Sequence, residues 1–496
     1  MTTTLPTVPA GDPDSLLDAE RRTRDIHRCS TSTVDVLVVG GGITGVGIAL
    51  DAATRGLSVA LVEANDLAYG TSRWSSKLVH GGLRYLASGQ VGIAWESAVE
   101  RTRIMNTIAP HLARPMAQLV PMFDDSQGLP VAAGLGMGDL LRRGAGGHLP
   151  APSRLSAAEA RELVPGLAAN VTGGRLGWDG QLVDDARLVV AVARTAAAYG
   201  ARILTHTRAV SLTGDGALLT DGLTGETWTL SARQVVNATG AWAAGLDDRV
   251  SLIRSRGTHL VVKSASIGEP SCALMVALPG STSRFVFALP QADGISYIGL
   301  TDVETTEPLD DPRASEEEIQ FLLDGINPAL ARPLDRTQIL STYSGYRPLL
   351  ASATGSSADL SRRHAVLDGN IISVVGGKLT TYRRMAEDAV DLISDRPCRT
   401  RDLPLVGAVG PSNGDVPDRL VRRFGAEAAV VAAQARGDDS LLQPIGSSPV
   451  LGVELLWARH AEAAITEEDV LTRRLRVDLV PEWYAQVAAL SSVSTS

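Results

Sequence analysis

Apolar runs punctuated by glycine set the rhythm of the first hundred residues. Val34–Val39 is short, β-branched and nearly all apolar, as in a strand buried on both faces of a parallel sheet. Residues 43–55 follow with helical character, Gly56 ends them, and residues 57–62 form a second apolar strand. Residues 91–109 read as a helix with Trp95, Val99 and Ile108 on the apolar side, stopped by Pro110. Glycines and prolines break up residues 116–152, which are expected to be irregular or helical hairpins. Ser156 and Glu159 stand in capping-box positions for a helix over residues 156–163. Gly173–Leu182 reads as strand and turn, Asp184 opens a helix, and residues 202–207 return as strand. Strand-like runs recur at 235–239, 258–262, 284–289, 296–300 and 371–375. From Asp415 to about Val480, charged and apolar residues alternate at helical spacing.

The turn after the first strand carries the first chemical signal. Gly40, Gly42 and Gly45 give G-x-G-x-x-G between a strand and a helix. The first glycine permits the tight turn, the second lets backbone approach a pyrophosphate, and the third lets helix and strand pack closely. The N–H groups that open the helix face the phosphates. Glu63 ends the second strand, near the ~20-residue spacing of an acid that binds a ribose hydroxyl. An acid there suits FAD or NAD better than NADP.

The loop that follows separates those two cofactors. GTSRWSSKLVHGGLRYL, residues 70–86, combines hydroxyls and glycines with Trp, Leu, Val and Tyr and has few charges. A flavin needs such a loop, which wraps the pyrophosphate and then runs beside the ring. Thr71, Ser72, Ser76, Lys77, Leu78 and His80 are the expected contacts, with Gly81 and Gly82 leaving room for a flat ring system. This stretch resembles the signature of FAD-dependent glycerol-3-phosphate dehydrogenases, in the broad family of D-amino-acid-oxidase-like flavoproteins. Trp74 stands where that family usually has a small or basic residue.

The resemblance extends from about Leu16 to Leu479 and implies a fold class. It is α/β, with a Rossmann-like FAD-binding domain interleaved with a mostly antiparallel β substrate domain, plus a small helical C-terminal domain. The expected boundaries are an N-terminal arm over 1–32, an oxidoreductase region over 33–395 and a helical domain over 400–490. The substrate domain is inserted at about 254–340, with parts of 115–155. By the same resemblance, backbone at Val210 passes the adenine, and the turn holding Thr239, Gly240 and Trp242 lies against the pyrophosphate side.

Basic residues downstream point to an anionic substrate. Arg347, between a Gly-Tyr pair and a proline, costs desolvation if buried unless it meets an anion, and its fork suits phosphate or carboxylate. A structural ion pair is the alternative. Gly376-Gly377-Lys378 ends a β-branched strand at a helix start, where Gly377, Lys378, Leu379 and Thr380 are expected at the flavin. Lys378 anchors substrate or charge, or is a solvated lysine; Thr380 and Thr381 also suit helix caps. The resemblance implies that Arg84, Arg347, Arg362, Lys378 and Thr381 surround substrate, with His259, Arg347 and Lys378 catalytic. His259 is the expected base, and a structural histidine is the alternative. The implied reaction is oxidation of sn-glycerol 3-phosphate to dihydroxyacetone phosphate, with hydride passing to FAD and electrons then to a quinone. An oxygen-using oxidase and an amine or amino-acid oxidase, in which Arg347 holds a carboxylate, are the rivals; a non-catalytic FAD-binding protein is a third.

Composition narrows the remaining classes. With 496 residues the chain is long enough for two or three cores, and its net charge of -9 argues against a nucleic-acid surface. Cys29, Cys272 and Cys398 are far apart and the eight histidines scattered, so no metal site is expected and the thiols read as reduced. No run reaches the ~18 apolar residues of a membrane span, and the N-terminus lacks a signal-peptide core. The expectation is a cytoplasmic protein resting peripherally on the membrane face, with a homodimer as a further expectation. Arg473, Arg474 and Arg476 suit a solvated face, with acidic lipid the alternative.

Overall fold

The computed structural model describes residues 5–82, 90–123, 136–139, 141–281, 284–310, 312–351, 363–411 and 415–491. Arg84 and Arg362 lie outside these.

The most apolar segments build the first sheet. Val34–Val39 runs parallel to Thr227–Asn237 on one side and to Val59–Val62 on the other, with Val38 level with Val236 and Leu61. Arg202–Leu204 and Ile371–Gly376 extend the parallel array outward, and His364–Leu367 adds an antiparallel edge. Val36 and Val38 join a core with the helices Ile43–Thr54, Asp185–Ala198 and Tyr382–Val390. Leu37 and Val39 face the opposite side, where Cys29 of the helix Ala19–Thr31 joins their core. Burial on both faces explains why this strand is a continuous apolar run.

Gly45 shows how tight the helix lies on the sheet. A Cβ at this position would sit 1.9 Å from the Gly40 carbonyl oxygen, a backbone atom with nowhere to go. Gly45→Ala is therefore expected to destabilise the protein by about 3 kcal/mol or more, read as a lower urea midpoint. An unchanged midpoint would contradict this packing.

Among the described residues the second sheet has ten strands and is antiparallel apart from one parallel pair, Ala113–Met122 beside Ala273–Ala277. Its long strand Leu252–Lys263 pairs with Ile339–Leu350, which sets His259 opposite Tyr343 and Gly257 opposite Gly345. Leu260 and Val262 face the helix Glu316–Ile326 and pack with Leu322, Leu323 and Ile326. The alternation of a strand sends His259 to the other face. Helices Asp418–Phe424, Ala428–Ala432, Gly452–Ala461 and Pro481–Ser491 form the C-terminal part, with two apolar cores of its own.

Three expectations change. Within 116–152, Ala113–Met122 is a ten-residue strand paired along Gly173–Leu182. Its prolines, Pro115 and Pro121, fall outside the short pairing with Ala273 and Leu274, so no ladder hydrogen bond is lost there. The expected apolar side of the helix at 91 holds only in part: Ile108 is buried and Val99 half-buried, but the first turns face outward. Trp95 is 43% exposed, while Ala94, Ser97, Ala98, Glu100 and Arg101 are buried, the two charges being paired with Arg383 and Asp179. Finally, Arg473, Arg474 and Arg476 are not on a solvated or lipid-facing surface. All three are buried, and Asp66 accepts from both Arg473 and Arg474.

Candidate active site

A cavity of about 770 Å³ is lined by both sheets. At one end the glycine turn meets Glu63. The Gly41 N–H donates to Glu63 Oε2 at 2.7 Å and the Asn65 N–H to Oε1 at 2.9 Å, so the acid is locked to the turn. Burial raises the Glu63 carboxyl above its ordinary range, and these backbone donors oppose that rise. Gly40 holds φ +114°, a conformation that favours glycine, and its missing side chain would meet the Ala238 carbonyl at 2.6 Å. Ser72 Oγ accepts from Ile43 N at 2.9 Å, capping the twelve-residue helix Ile43–Thr54.

Along the cavity, Thr71 and Ser72 form one wall with Leu78 and His80 further on, and Thr239, Gly240 and Trp242 form another. Thr71 Oγ1 donates to the Tyr346 carbonyl at 2.6 Å, tying this wall to the second sheet. Gly70 is small because Trp242 lies across it, 2.7 Å from where a Cβ would be. Gly377, Lys378, Leu379 and Thr380 close the wall from the strand Ile371–Gly376. Lys378 Nζ donates to the buried Ser97 hydroxyl.

The far end holds His259 and Arg347. His259 is 1% exposed, stacks on Tyr343 at 4.5 Å, and its Nε2 shares a 2.9 Å hydrogen bond with Ser76 Oγ. Its Nδ1 is buried with no hydrogen-bond partner among the described residues. Burial, then the charges of Lys77 and Arg347, push its pKa well below the ordinary histidine value, so the ring is neutral. Arg347 spreads over Gly257, where a Cβ would lie 2.0 Å from Nη2. It donates to Ser255 Oγ at 3.2 Å and to the Thr301 carbonyl at 3.2 Å, and pairs with Asp302 at 3.4 Å.

Comparison with known proteins gives the family. Residues 35–382 match the model of the FAD dependent oxidoreductases, and residues 398–494 match the C-terminal domain of alpha-glycerophosphate oxidase. Glycerol-3-phosphate dehydrogenase 1 of Mycobacterium tuberculosis is 48% identical over 96% of this chain and 97% of its own length. The chain belongs to the FAD-dependent glycerol-3-phosphate dehydrogenase family. Among solved structures, the glycerol-3-phosphate dehydrogenase from Bacillus halodurans complexed with FAD is 29% identical, with a TM-score of 0.75, covering 96% of this chain and 94% of that one. L-alpha-glycerophosphate oxidase from Mycoplasma pneumoniae shares the fold at 19% identity, with a TM-score of 0.60, over 76% of this chain and 99% of its own.

As in that family, the cofactor is FAD, and the residues present fit it. The cavity volume lies within the range of cofactor sites. It runs past a glycine turn at a helix N-terminus, where a Cβ on Gly42 would meet only Ser72 Oγ, at 3.2 Å. Several expected contacts nevertheless fall elsewhere. Lys77 does not line the cavity. Its ammonium is buried against Asp185 at 2.8 Å and the Arg73 carbonyl at 2.9 Å, since a buried cation needs an anion more than the cofactor needs a lysine. Val210 does not line the cavity, whereas Ala209 beside it does, at a bulge before Ser211 where the Val210 side chain is 53% exposed. Gly81 and Gly82 do not line it either, and the space beside Gly81 is taken by the Arg101 guanidinium. Thr381 is buried at the N-cap of the helix Tyr382–Val390, where its hydroxyl makes no cap bond and donates instead to the Lys378 carbonyl at 3.3 Å. Gln118, Asp179, Met275 and Phe287 also line the cavity and were missed. The only signal for Asp179 was a lone acid in a glycine-rich strand, where it accepts from Arg101 and Gly81 N.

The neutral His259 has a consequence for stability. Its folded pKa is depressed, so below about pH 6.5 the unfolded chain binds a proton that the native one refuses. Stability present above that pH is then lost as pH falls, by about 1.4 kcal/mol per pH unit for each such histidine. Burial also lowers His111, to about 3, which adds a second. The urea midpoint is expected to drop between pH 6.5 and 5, and to drop less steeply in His111→Gln. A flat profile over that range would contradict both neutral histidines.

Proposed function

We propose that this protein oxidises sn-glycerol 3-phosphate to dihydroxyacetone phosphate and passes the electrons to a quinone. The observation that carries the reading is a buried neutral imidazole and a guanidinium lining the same end of the FAD cavity. Bound FAD supplies the two-electron oxidant. His259 accepts the proton of the C2 hydroxyl, its ring oriented by Ser76 and by the Tyr343 stack. Arg347 and Lys378 hold the phosphate, with Arg84 and Arg362 as further candidates. If His259 is only structural, an arginine or threonine network polarises the hydroxyl and water takes the proton.

An oxygen-using oxidase is the second reading, favoured by the match of residues 398–494 to the C-terminal domain of an oxidase. A quinone acceptor entails peripheral contact with a membrane, on its cytoplasmic face. Among the described residues no helix is long and apolar enough to cross one. Exposed Val91, Trp95 and Met137 support a peripheral contact.

Anaerobic titration of the holoenzyme with glycerol 3-phosphate should bleach the flavin, while amino acids should not. Reoxidation should then be fast with a quinone analogue and slow, with little peroxide, in oxygen. No bleaching by glycerol 3-phosphate would end the substrate assignment; fast reoxidation with stoichiometric peroxide would make the protein an oxidase.

A further inference from the structure

One stretch of cavity wall is gripped from outside at both ends by the C-terminal part of the chain. Residues 63–77 contribute Glu63, Tyr69, Thr71, Ser72, Trp74 and Ser76 to the cavity. Near the first end, Asp66 is fully buried and accepts from Arg473 Nε at 2.7 Å and from Arg474 Nη2 at 2.7 Å. Arg73 Nη1 donates to Thr472 Oγ1 at 3.2 Å. At the other end, Arg476 Nη1 donates to the Arg73 carbonyl at 3.0 Å and lies 3.7 Å from Asp185 Oδ1, and its guanidinium sits 5.1 Å from the Trp74 ring.

Asp185 carries that grip to the reactive end. Its Oδ2 accepts from Ser75 N at 2.9 Å, from Ser75 Oγ at 2.7 Å and from Lys77 Nζ at 2.8 Å. Lys77 is held at φ +58°, and Tyr343 Oη donates to the Ser75 carbonyl at 3.1 Å. Ser76, between these anchored residues, is the one that bonds His259. Such a concentration of buried charge is expensive for a mere domain contact, because each ion is taken out of water. Hydrophobic residues of similar volume would join two domains as well, whereas charges with fixed partners specify a geometry.

We propose that Arg473, Arg474 and Arg476 make the C-terminal helical part a clamp that positions the cavity wall at 63–77. It holds Glu63 and the hydroxyl loop in the geometry that binds FAD, and Ser76 against His259. The arginines touch neither cofactor nor substrate; they are positioning residues.

The test measures FAD affinity of the apoprotein by fluorescence beside the thermal midpoint, and so does not depend on the substrate assignment. Arg476→Met should weaken FAD binding on the order of tenfold, the scale seen for partners one shell removed from a site. Arg419→Met is the control. It breaks the pairs with Glu454 of the C-terminal part and with Asp293 in the turn before the strand Ile295–Gly299, and touches no residue of 63–77. It should lower the midpoint and leave FAD affinity unchanged. Should Arg476→Met not fold, Thr472→Val removes only the hydroxyl that receives Arg73 and Arg473, and should weaken FAD binding a few-fold. FAD affinity that is unchanged in both wall-side variants, or that falls equally in Arg419→Met, would overturn the clamp.

Discussion

In His259→Ala, reduction of bound FAD by glycerol 3-phosphate under anaerobic conditions is expected to slow by about 10²–10⁴-fold, the contribution of a positioned general base. FAD content and substrate affinity should change only a few-fold, since the imidazole carries no charge with which to hold a dianion. The direction of the pKa shift matters here. A histidine at its ordinary value would be half protonated near pH 6.5, and the reaction would fade below it. Burial and the neighbouring Lys77 and Arg347 keep this ring neutral far lower. The wild-type rate of reduction is thus expected to stay level through pH 6.5. Removing the ring also leaves a void against Tyr343, so the thermal midpoint should be followed alongside. His259→Gln, which fills more of the space without a basic nitrogen, should be as slow as alanine. Wild-type reduction rates in both variants would assign the proton to water instead.

Much of this site was legible because backbone geometry leaves marks in sequence. Gly40 and Gly45 are glycines for reasons visible at atomic distance, and the capping box of Ser156 and Glu159 and the N-cap acid Asp184 appear where their spacing predicts. Parallel strands buried on both faces announce themselves as uninterrupted apolar runs, as at Val34–Val39. Edge and half-buried strands do not. Ala113–Met122 carries two prolines and two exposed residues, Arg114 and Pro115, and has no periodicity to read.

Charge was the least legible feature. In sequence, Lys77 looks like a cofactor contact and Arg473, Arg474 and Arg476 like a solvated face. Each is buried because its partner, Asp185 or Asp66, comes from more than a hundred residues away, which no local pattern encodes. Likewise the outward side of residues 91–103 was misread because Glu100 and Arg101 are buried through pairs with Arg383 and Asp179. Sequence spacing found the chemistry near the glycine turn and overlooked the ion pairs that hold the wall around it.

Arg347 offers the second large effect, because a structural pair and a proposed substrate contact meet on it. It pairs with Asp302, and in the proposed reaction it holds the substrate phosphate. Arg347→Met removes the cation and leaves the dianion facing the Asp302 carboxylate without it. Losing one member of a desolvated, hydrogen-bonded pair costs roughly 2–5 kcal/mol, so kcat/KM for glycerol 3-phosphate is expected to fall by about 10²–10³-fold. The loss should appear as a raised KM, since the contact is present before the reaction as well as during it. Two companions separate charge from geometry. Arg347→Lys keeps the charge without the fork and should recover part of the loss. Gly257→Ala keeps Arg347 itself but puts a methyl 2.0 Å from its Nη2, so the guanidinium must move and KM should rise again. If Arg347→Met lowers only the thermal midpoint and leaves KM untouched, the arginine is a structural partner of Asp302, and the phosphate must be held by other cations of the cavity.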